Sequence, residues 1–546
     1  MPRLQKRRSR LANFLRRWRL VFFLLFLIAV LTSSGIISLN SDTAPGQSSP
    51  LVKAQGKIII DENALPGTTD WLIHDPAYSI QIQAYASATS VSPGEPLTFY
   101  VSTQHSGTPY TVQIYRLGWY GGAGGRLMLA KQGIGQAQGY YDPARQKLVG
   151  CSSCLIDRRT HLIEANWRPS FSITIPDTWV TGLYEAKLID AYGNQAAVSF
   201  EVRGNPYAAY LVVIADNTTE AYNDWGGYSL YYGPKGSVKL RATKVSFDRP
   251  ALGWYYGQGN GLPYEIDAIR WMERQGYDLS YISSVDLDEN PGQLLNHRAF
   301  ISLGHDEYWS QAMRDGVEHA RDQGVGLAFF GANAVYWQIR YEPDSHGVPD
   351  RTIVCYKSAK DDPLYGKDNA LVTVQWRNPP VNRPENALIG IMYIGFADAP
   401  KAYPWRLSPT ASSPLLNGTG LQPGATYGCN LVGNEWDAVV ENGETPPGLT
   451  VLGTSDVITH VGQKQISSTA YYIAPSGAFV FASGSIYWSY ALDDLRVWNF
   501  RNAAQVVRAN PCFAQSRAIP GIQTLMEHVM NELLINHHSG AALLAR

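Results

Sequence analysis

Three uninterrupted apolar runs constrain this chain more than any other feature: AYLVVIAD (209–216), RAFISLGH (298–305) and GVGLAFFGANA (324–334). A strand that is apolar on both faces must be covered on both, which is the condition of a buried parallel sheet. Helical patterns separate the runs. Pro263 opens one that extends to about Gln275, with Gly276 as its stop. Ser310 caps another, in which Met313, Val317 and Ala320 share a face and Gly324 marks the end. Strand, helix, strand, helix, strand predicts a doubly wound α/β core over 204–540. Strands and Pro/Gly loops dominate from Cys355 to Asp493, and 521–535 reads as a closing helix.

Upstream of Asn205 the period is two. Ile80 and Ile82, then Leu97, Phe99 and Val101, then Val112 and Ile114 place alternate apolar residues on one side of short runs. Phe171, Ile173 and Ile175 repeat the pattern, as do Ala196, Val198, Phe200 and Val202, with turns such as Pro93-Gly94 and Gly193-Asn194 between runs. Several such runs with no helical stretch predict an antiparallel immunoglobulin-like β-sandwich over 74–203. A linker over 40–73, rich in Ser, Pro and Gly up to residue 56, precedes it.

Residues 1–39 read as a basic flank and an apolar segment. Leu20 to Leu39 is about twenty residues without a charge, enough to cross a hydrocarbon core as a helix. Lys/Arg on the N-terminal side alone predict that end inside and the rest outside. Val21 to Leu31 is also short enough for a signal-peptide core. The expectation is a membrane-anchored protein with extracytoplasmic domains, or a secreted one if the segment is cleaved. The eight Lys/Arg of residues 1–20 serve as that flank; the other 37 basic residues face 46 acidic ones and leave no attraction for nucleic acid. Cys151-Ser-Ser-Cys154 has the spacing of a redox motif, half a zinc site or a loop staple. With no second CxxC or close His pair to complete zinc ligation, a structural bridge is the preferred reading. Cys355, Cys429 and Cys512 are isolated and have no assigned chemistry.

Sites in parallel sheets lie beyond the carboxyl ends of strands, which gathers the loops after Asp216, at Gly304–Trp309 and at Gly331–Ala334. No GxSxG, GxCxG, HExxH, GxxxxGK[ST] or helix-opening GxGxxG occurs, so the usual nucleophile, zinc-protease and phosphate signatures are absent. His305-Asp306-Glu307-Tyr308-Trp309 is the densest polar cluster. A carboxylate there can ligate a metal or act as a general base, with an imidazole two residues away in the same pocket; it can equally suit the first turn of the helix after Ser310. Asn333 can orient a carbonyl or a water through its amide, or cap the next turn. Tyr222, in the AYNDWGG loop (221–227), and Tyr264, just after Pro263, read equally as packed phenols.

Several separated stretches, in order, carry a resemblance. TTEAYNDWGGYSLY, LPYEIDAIRWMERQGYD, FISLGHDEYWS and LAFFGANAVYWQIR resemble the C-terminal region of the N,N-dimethylformamidase large (beta) subunit family, and YTVQIYRLGWYGGAGGRLM resembles the sandwich that precedes it. The similarity covers most of 75–535. It implies a β-sandwich joined to a core like a class I glutamine amidotransferase without its cysteine. It also implies a mononuclear, ferric iron held by two tyrosines and one glutamate, which here are Tyr222, Tyr264 and Glu307. His305, Asn333, Glu435 in GNEWD and Lys357 in CYKSA resemble the surrounding pocket. The implied roles are Glu435 or His305 as proton carrier and Asn333 as the substrate-orienting group.

The expectation is therefore a metal-dependent hydrolase of non-peptide C–N (amide) bonds, as a homo-oligomer or with a small partner subunit. Because the family's characterised enzyme is cytoplasmic and this N-terminus reads as an export signal, the expected substrate is a small amide or an amide-bearing polymer rather than dimethylformamide itself. Two competing readings keep the fold and change the activity: a non-catalytic surface protein binding carbohydrate or polymer, and a sugar-processing enzyme.

Overall fold

The structure, a computed structural model, describes residues 54–74, 80–251, 262–495 and 508–537. The three apolar runs become neighbouring parallel strands. Tyr210–Ile214 pairs with Leu279–Ser283 on one side and Ala299–Gly304 on the other, and Ala299–Gly304 pairs with Gly326–Gly331. Every residue of these four strands is buried. Phe479–Ala482 extends the parallel set, and Lys464–Ile473 and Thr450–Ile458 complete a seven-stranded sheet as antiparallel strands. The punctuation read from sequence lies where local chemistry puts it. The helix Leu262–Arg274 is followed by Gly276 at φ 68°, and Ser310 Oγ accepts from the Met313 amide at 3.1 Å at the start of Gln311–Asp322.

The expected fold class is nevertheless corrected. A doubly wound, glutamine amidotransferase-like α/β fold does not describe this chain: strand exceeds helix, 35% to 22%, and the strands of the described residues are spread over seven sheets. The reason lies between and after the apolar runs. Tyr210–Ile214 leads into a seven-residue helix, Asp216–Tyr222, and then into single 3₁₀ turns at Trp225–Gly227, Pro234–Gly236 and Val238–Leu240, before the helix Leu262–Arg274. Lys244–Ser246, Thr352–Val354, Trp337–Glu342 and Tyr308–Ser310 form a separate four-stranded sheet. Met392–Arg406 and Thr426–Ala438 form a long antiparallel ribbon.

Within 82–202, Ile82–Ala86, Pro96–Thr103 and Phe171–Thr174 make one antiparallel sheet. Ser90–Val91, Gln195–Val202, Gly182–Asp190, Pro109–Leu117 and Gly125–Ile134 make a second sheet, antiparallel except where Ser90–Val91 runs parallel to Gln195–Val202. Leu97, Phe99, Val112, Ile114, Leu188 and Phe200 belong to one shared core. Arg116 of this region reaches the far end of the helix Leu262–Arg274. Its Nη2 and Nη1 donate to Glu273 at 2.7 and 2.9 Å, and Asn63, from a helix Lys57–Asn63 inside the span read as linker, donates to the same carboxylate at 2.8 Å. Disulfides join Cys151 to Cys154 and Cys429 to Cys512, while Cys355 is free and buried.

The expected membrane anchor is also corrected. Among the described residues no helix is long and apolar enough to cross a membrane, and the segment Leu20 to Leu39 lies outside the described residues. A membrane-anchored location is left without support.

Candidate functional site

The site assembles past the carboxyl ends of two adjacent parallel strands. The helix Asp216–Tyr222 carries Tyr222 as its last residue. The chain then doubles back, the Leu230 amide donating to the Ala221 carbonyl at 2.9 Å, and this stacks Tyr231 on Tyr222 with ring centroids 4.4 Å apart. Ala299–Gly304 ends at Gly304 with φ 63°, where a Cβ would stand 3.1 Å from Tyr264 Cβ. The missing side chain thus lets Tyr264, at the start of its helix, lie beside the turn that carries His305 and Glu307. Asn333, Lys357 and Asn434 all have left-handed backbone, with φ of 54°, 57° and 56°. Such conformations in non-glycine residues cost about 1–3 kcal/mol each and cluster at functional sites.

Glu307 is the centre. It is 1% exposed; Tyr222 donates its hydroxyl to Oε2 at 3.1 Å, and Tyr231 donates to Oε1. His305 Nε2 lies 3.3 Å from Glu307 Oε2 and 3.1 Å from Glu435 Oε2, at ion-pair distance from both but aligned as a hydrogen-bond donor to neither. Asn333 Nδ2 donates to Glu435 Oε2 at 2.7 Å, and the Asn333 amide nitrogen donates to Asp437 at 2.8 Å. His305, Glu307, Glu435, Asn333 and Tyr222 therefore form one continuous set of contacts. Tyr264 joins it through Asn434, the neighbour of Glu435, whose Nδ2 donates to the phenol oxygen at 2.8 Å. Lys357 stands behind Tyr231: its ammonium lies 3.3 Å from that ring's centroid and donates to the Tyr308 hydroxyl at 2.6 Å. Tyr231, Asn434 and Asp437 were not singled out by sequence reasoning, since nothing in their local spacing distinguishes them.

Burial and charge oppose each other here. Burial alone would lower the His305 pKa, but Glu435 and Glu307 outweigh it and push the imidazole up to about 10. Burial raises Glu307, yet the imidazole of His305 3.3 Å away, with the charge of Lys357 and the hydrogen bond from Tyr231, brings it below the ordinary carboxylate range. Burial, then Glu307, holds the Tyr222 and Tyr231 phenols well above their usual range. Removal from water pulls Lys357 down to about 8 against the pull of Glu307. Among the described residues Asn333 Oδ1 is buried with no hydrogen-bond partner, a cost that calls for an explanation such as strain, a ligand or a catalytic role.

Among the described residues no group of three or more His, Cys, Asp or Glu side chains is placed to hold a metal ion. Tyr222, Tyr264 and Glu307 are a donor set of another kind, two phenols and a carboxylate. All three are oxygen donors of the kind that suits a hard cation; Tyr222 and Glu307 are in direct contact, while Tyr264 reaches the cluster through Asn434.

Fold and site define a predominantly β protein with a buried centre of two carboxylates, an imidazole and several phenols. The chain belongs to the N,N-dimethylformamidase beta subunit-like family (C-terminal region), whose profile matches residues 111–504. That family is consistent with an amide hydrolase. The chain is 29% identical over 168 residues to the N,N-dimethylformamidase beta subunit of Paracoccus aminophilus and 26% identical over 168 residues to that of Alcaligenes sp.. Each match covers 29% of this chain and only 22% of the relative. A superoxide reductase (neelaredoxin) from Ignicoccus hospitalis, 10% identical over 24% of this chain and 83% of that one, has a TM-score of 0.13 and carries no argument.

Proposed function

We propose that this chain hydrolyses non-peptide amide C–N bonds at the Glu307–His305–Glu435 cluster, with Tyr222, Tyr264 and Glu307 holding a mononuclear ferric ion. The observation that carries the proposal is the convergence of two carboxylates on one buried imidazole, with an unpartnered amide oxygen beside them. Bound there, iron would supply Lewis acidity.

The chain's own residues divide the remaining tasks. Glu435, whose side chain is 14% exposed against 1% for Glu307, is the carboxylate within reach of an entering substrate. It takes a proton from water as the water oxygen bonds to the carbonyl carbon. It then returns the proton to the nitrogen as the C–N bond breaks, leaving a carboxylic acid and an amine. His305, 3.1 and 3.3 Å from the two carboxylates, offsets their mutual repulsion and fixes their spacing. Asn333, held by its donation to Glu435, has Oδ1 left to accept a hydrogen bond from the attacking water.

The substrate class proposed is a small amide or an amide-bearing polymer. Both relatives are named as beta subunits, which supports assembly with a further chain. The test is iron content, the visible phenolate-to-iron band and amine release from a panel of small amides, all on the purified protein. Near-stoichiometric iron is expected, with band and amine release both lost in Tyr222→Phe and Glu307→Ala. Iron-reconstituted protein that stays colourless and releases no amine would sink the proposal, and glycan retention would then support the binding-protein reading.

A further inference from the structure

We propose that Tyr231 and Lys357 form a positioning pair that fixes the rotation of the Glu307 carboxylate; the inference rests on the metal reading above. A carboxylate on a flexible side chain presents one oxygen to a ligand only if the other is held. Glu307 is held on both sides, Oε1 by the Tyr231 hydroxyl and Oε2 by the Tyr222 hydroxyl at 3.1 Å. The two holds are not equivalent. A phenol that serves as a metal donor has given up its proton and no longer donates, so with Tyr222 so engaged the Tyr231 hydroxyl remains as the donor that orients Glu307.

Tyr231 is itself restrained from two sides. Its ring stacks on Tyr222 at 4.4 Å with an interplanar angle of 28°. The Lys357 ammonium covers it at 3.3 Å from the centroid, with the Trp337 and Tyr308 rings 4.6 and 5.1 Å away and the Tyr308 hydroxyl accepting at 2.6 Å. A cation over aromatic faces is attracted to them by the ring quadrupoles. Among the described residues no ion pair holds Lys357, so its charge is met by this aromatic box. Lys357 also has left-handed backbone, φ 57°, a conformation a β-carbon disfavours and one that aims a side chain where regular backbone would not. The arrangement assigns Lys357 to holding Tyr231 in place, not to proton transfer with a substrate beside Glu435.

The experiment compares full-length wild type, Tyr231→Phe, Lys357→Met and Lys357→Arg after iron loading, reading iron affinity against a competing chelator and the absorption maximum. Tyr231→Phe keeps the ring and its stack, and circular dichroism confirms that each variant is folded. The expected result is that Tyr231→Phe retains the band but binds iron about 10–100-fold more weakly, the usual effect of losing an outer partner of a ligand. The band should also move to shorter wavelength, because a carboxylate stripped of its donor gives more charge to the metal. Lys357→Met should move both readouts the same way by less, and Lys357→Arg should restore them. Spectrum and affinity of Tyr231→Phe matching wild type would overturn the pair while leaving the metal reading intact. Loss of the band as complete as in Tyr222→Phe would overturn it too, by making Tyr231 a ligand. Wild type that takes up no iron would defeat the metal reading and this inference with it.

Discussion

Two buried polar networks sit at the two ends of the helix Leu262–Arg274, and they differ in how completely they are satisfied. At the Glu273 end, the Arg116 guanidinium donates to both carboxylate oxygens and to the Thr181 carbonyl, while Tyr281 and Asn63 complete the acceptor positions of Glu273. Both side chains of the ion pair are fully buried. At the Tyr264 end, Asn333 Oδ1 has no partner among the described residues, His305 Nε2 is aligned to neither nearby carboxylate, and three residues have left-handed backbone. A network that closes on itself rigidifies a fold; one that leaves groups unsatisfied holds them for something else.

That contrast can be broken or sharpened experimentally. The largest effect is expected at the open network: Glu435→Gln should lower kcat for amide hydrolysis about 10²–10⁴-fold, with urea denaturation showing an essentially unchanged fold. If its stability falls as far as that of an Arg116 variant, the distinction between the two ends fails. At the closed network, Arg116→Ala should cost about 3–5 kcal/mol by urea denaturation because it leaves a buried Glu273 uncompensated. A loss under 1 kcal/mol would show that the interior there is wetter than its burial implies.

A smaller effect separates the two disulfides. Cys429–Cys512 joins residues 83 apart, and removing it should cost about 4–5 kcal/mol on the chain-entropy account as an upper bound, against about 2 kcal/mol for Cys151–Cys154, which spans three. Paired Cys→Ser melts would reveal the ordering. Smallest and most pH-specific is Glu201, fully buried with neither carboxylate oxygen hydrogen-bonded among the described residues, and held well above the usual carboxylate range by burial and then by Asp216, Asp286 and Glu265. A carboxyl raised on folding contributes stability that is fully present below its unfolded pKa and lost as pH rises through the folded value. Tm should therefore decline with rising pH above the ordinary carboxylate range, and Glu201→Gln should flatten that decline. An identical slope in the variant would assign the pH dependence elsewhere.

Much of the local architecture is legible in the residues. Pro263, Gly276 and Ser310 mark helix ends because their effects are local to one turn. The three apolar runs are strands because only a doubly covered sheet accepts them. The class was misjudged because the stretch after the apolar runs forms antiparallel pairs, Met392–Arg406 with Thr426–Ala438 and Thr450–Ile458 with Lys464–Ile473, and alternation alone does not say with what a strand pairs. At the site, His305 and Glu307 stand out as a polar cluster at a strand end. Glu435 and Lys357 came forward only through family resemblance, since they lie on separate segments that the fold brings in. Tyr231 is one of 33 tyrosines, and its place beside Glu307 depends on the chain reversal at Leu230, which no single-residue preference announces.

The helix Leu262–Arg274 joins these observations mechanically. Nine residues separate Tyr264 from Glu273, a span of about 14 Å at 1.5 Å per residue. Because the helix is stiff over that length and its Glu273 end is bolted to Arg116 of the β-sandwich, a small tilt imposed there is levered to the phenol at the other end. The two-sheet region that carries Arg116 is thereby tied to the helix that carries Tyr264, and trimming that region away should displace Tyr264.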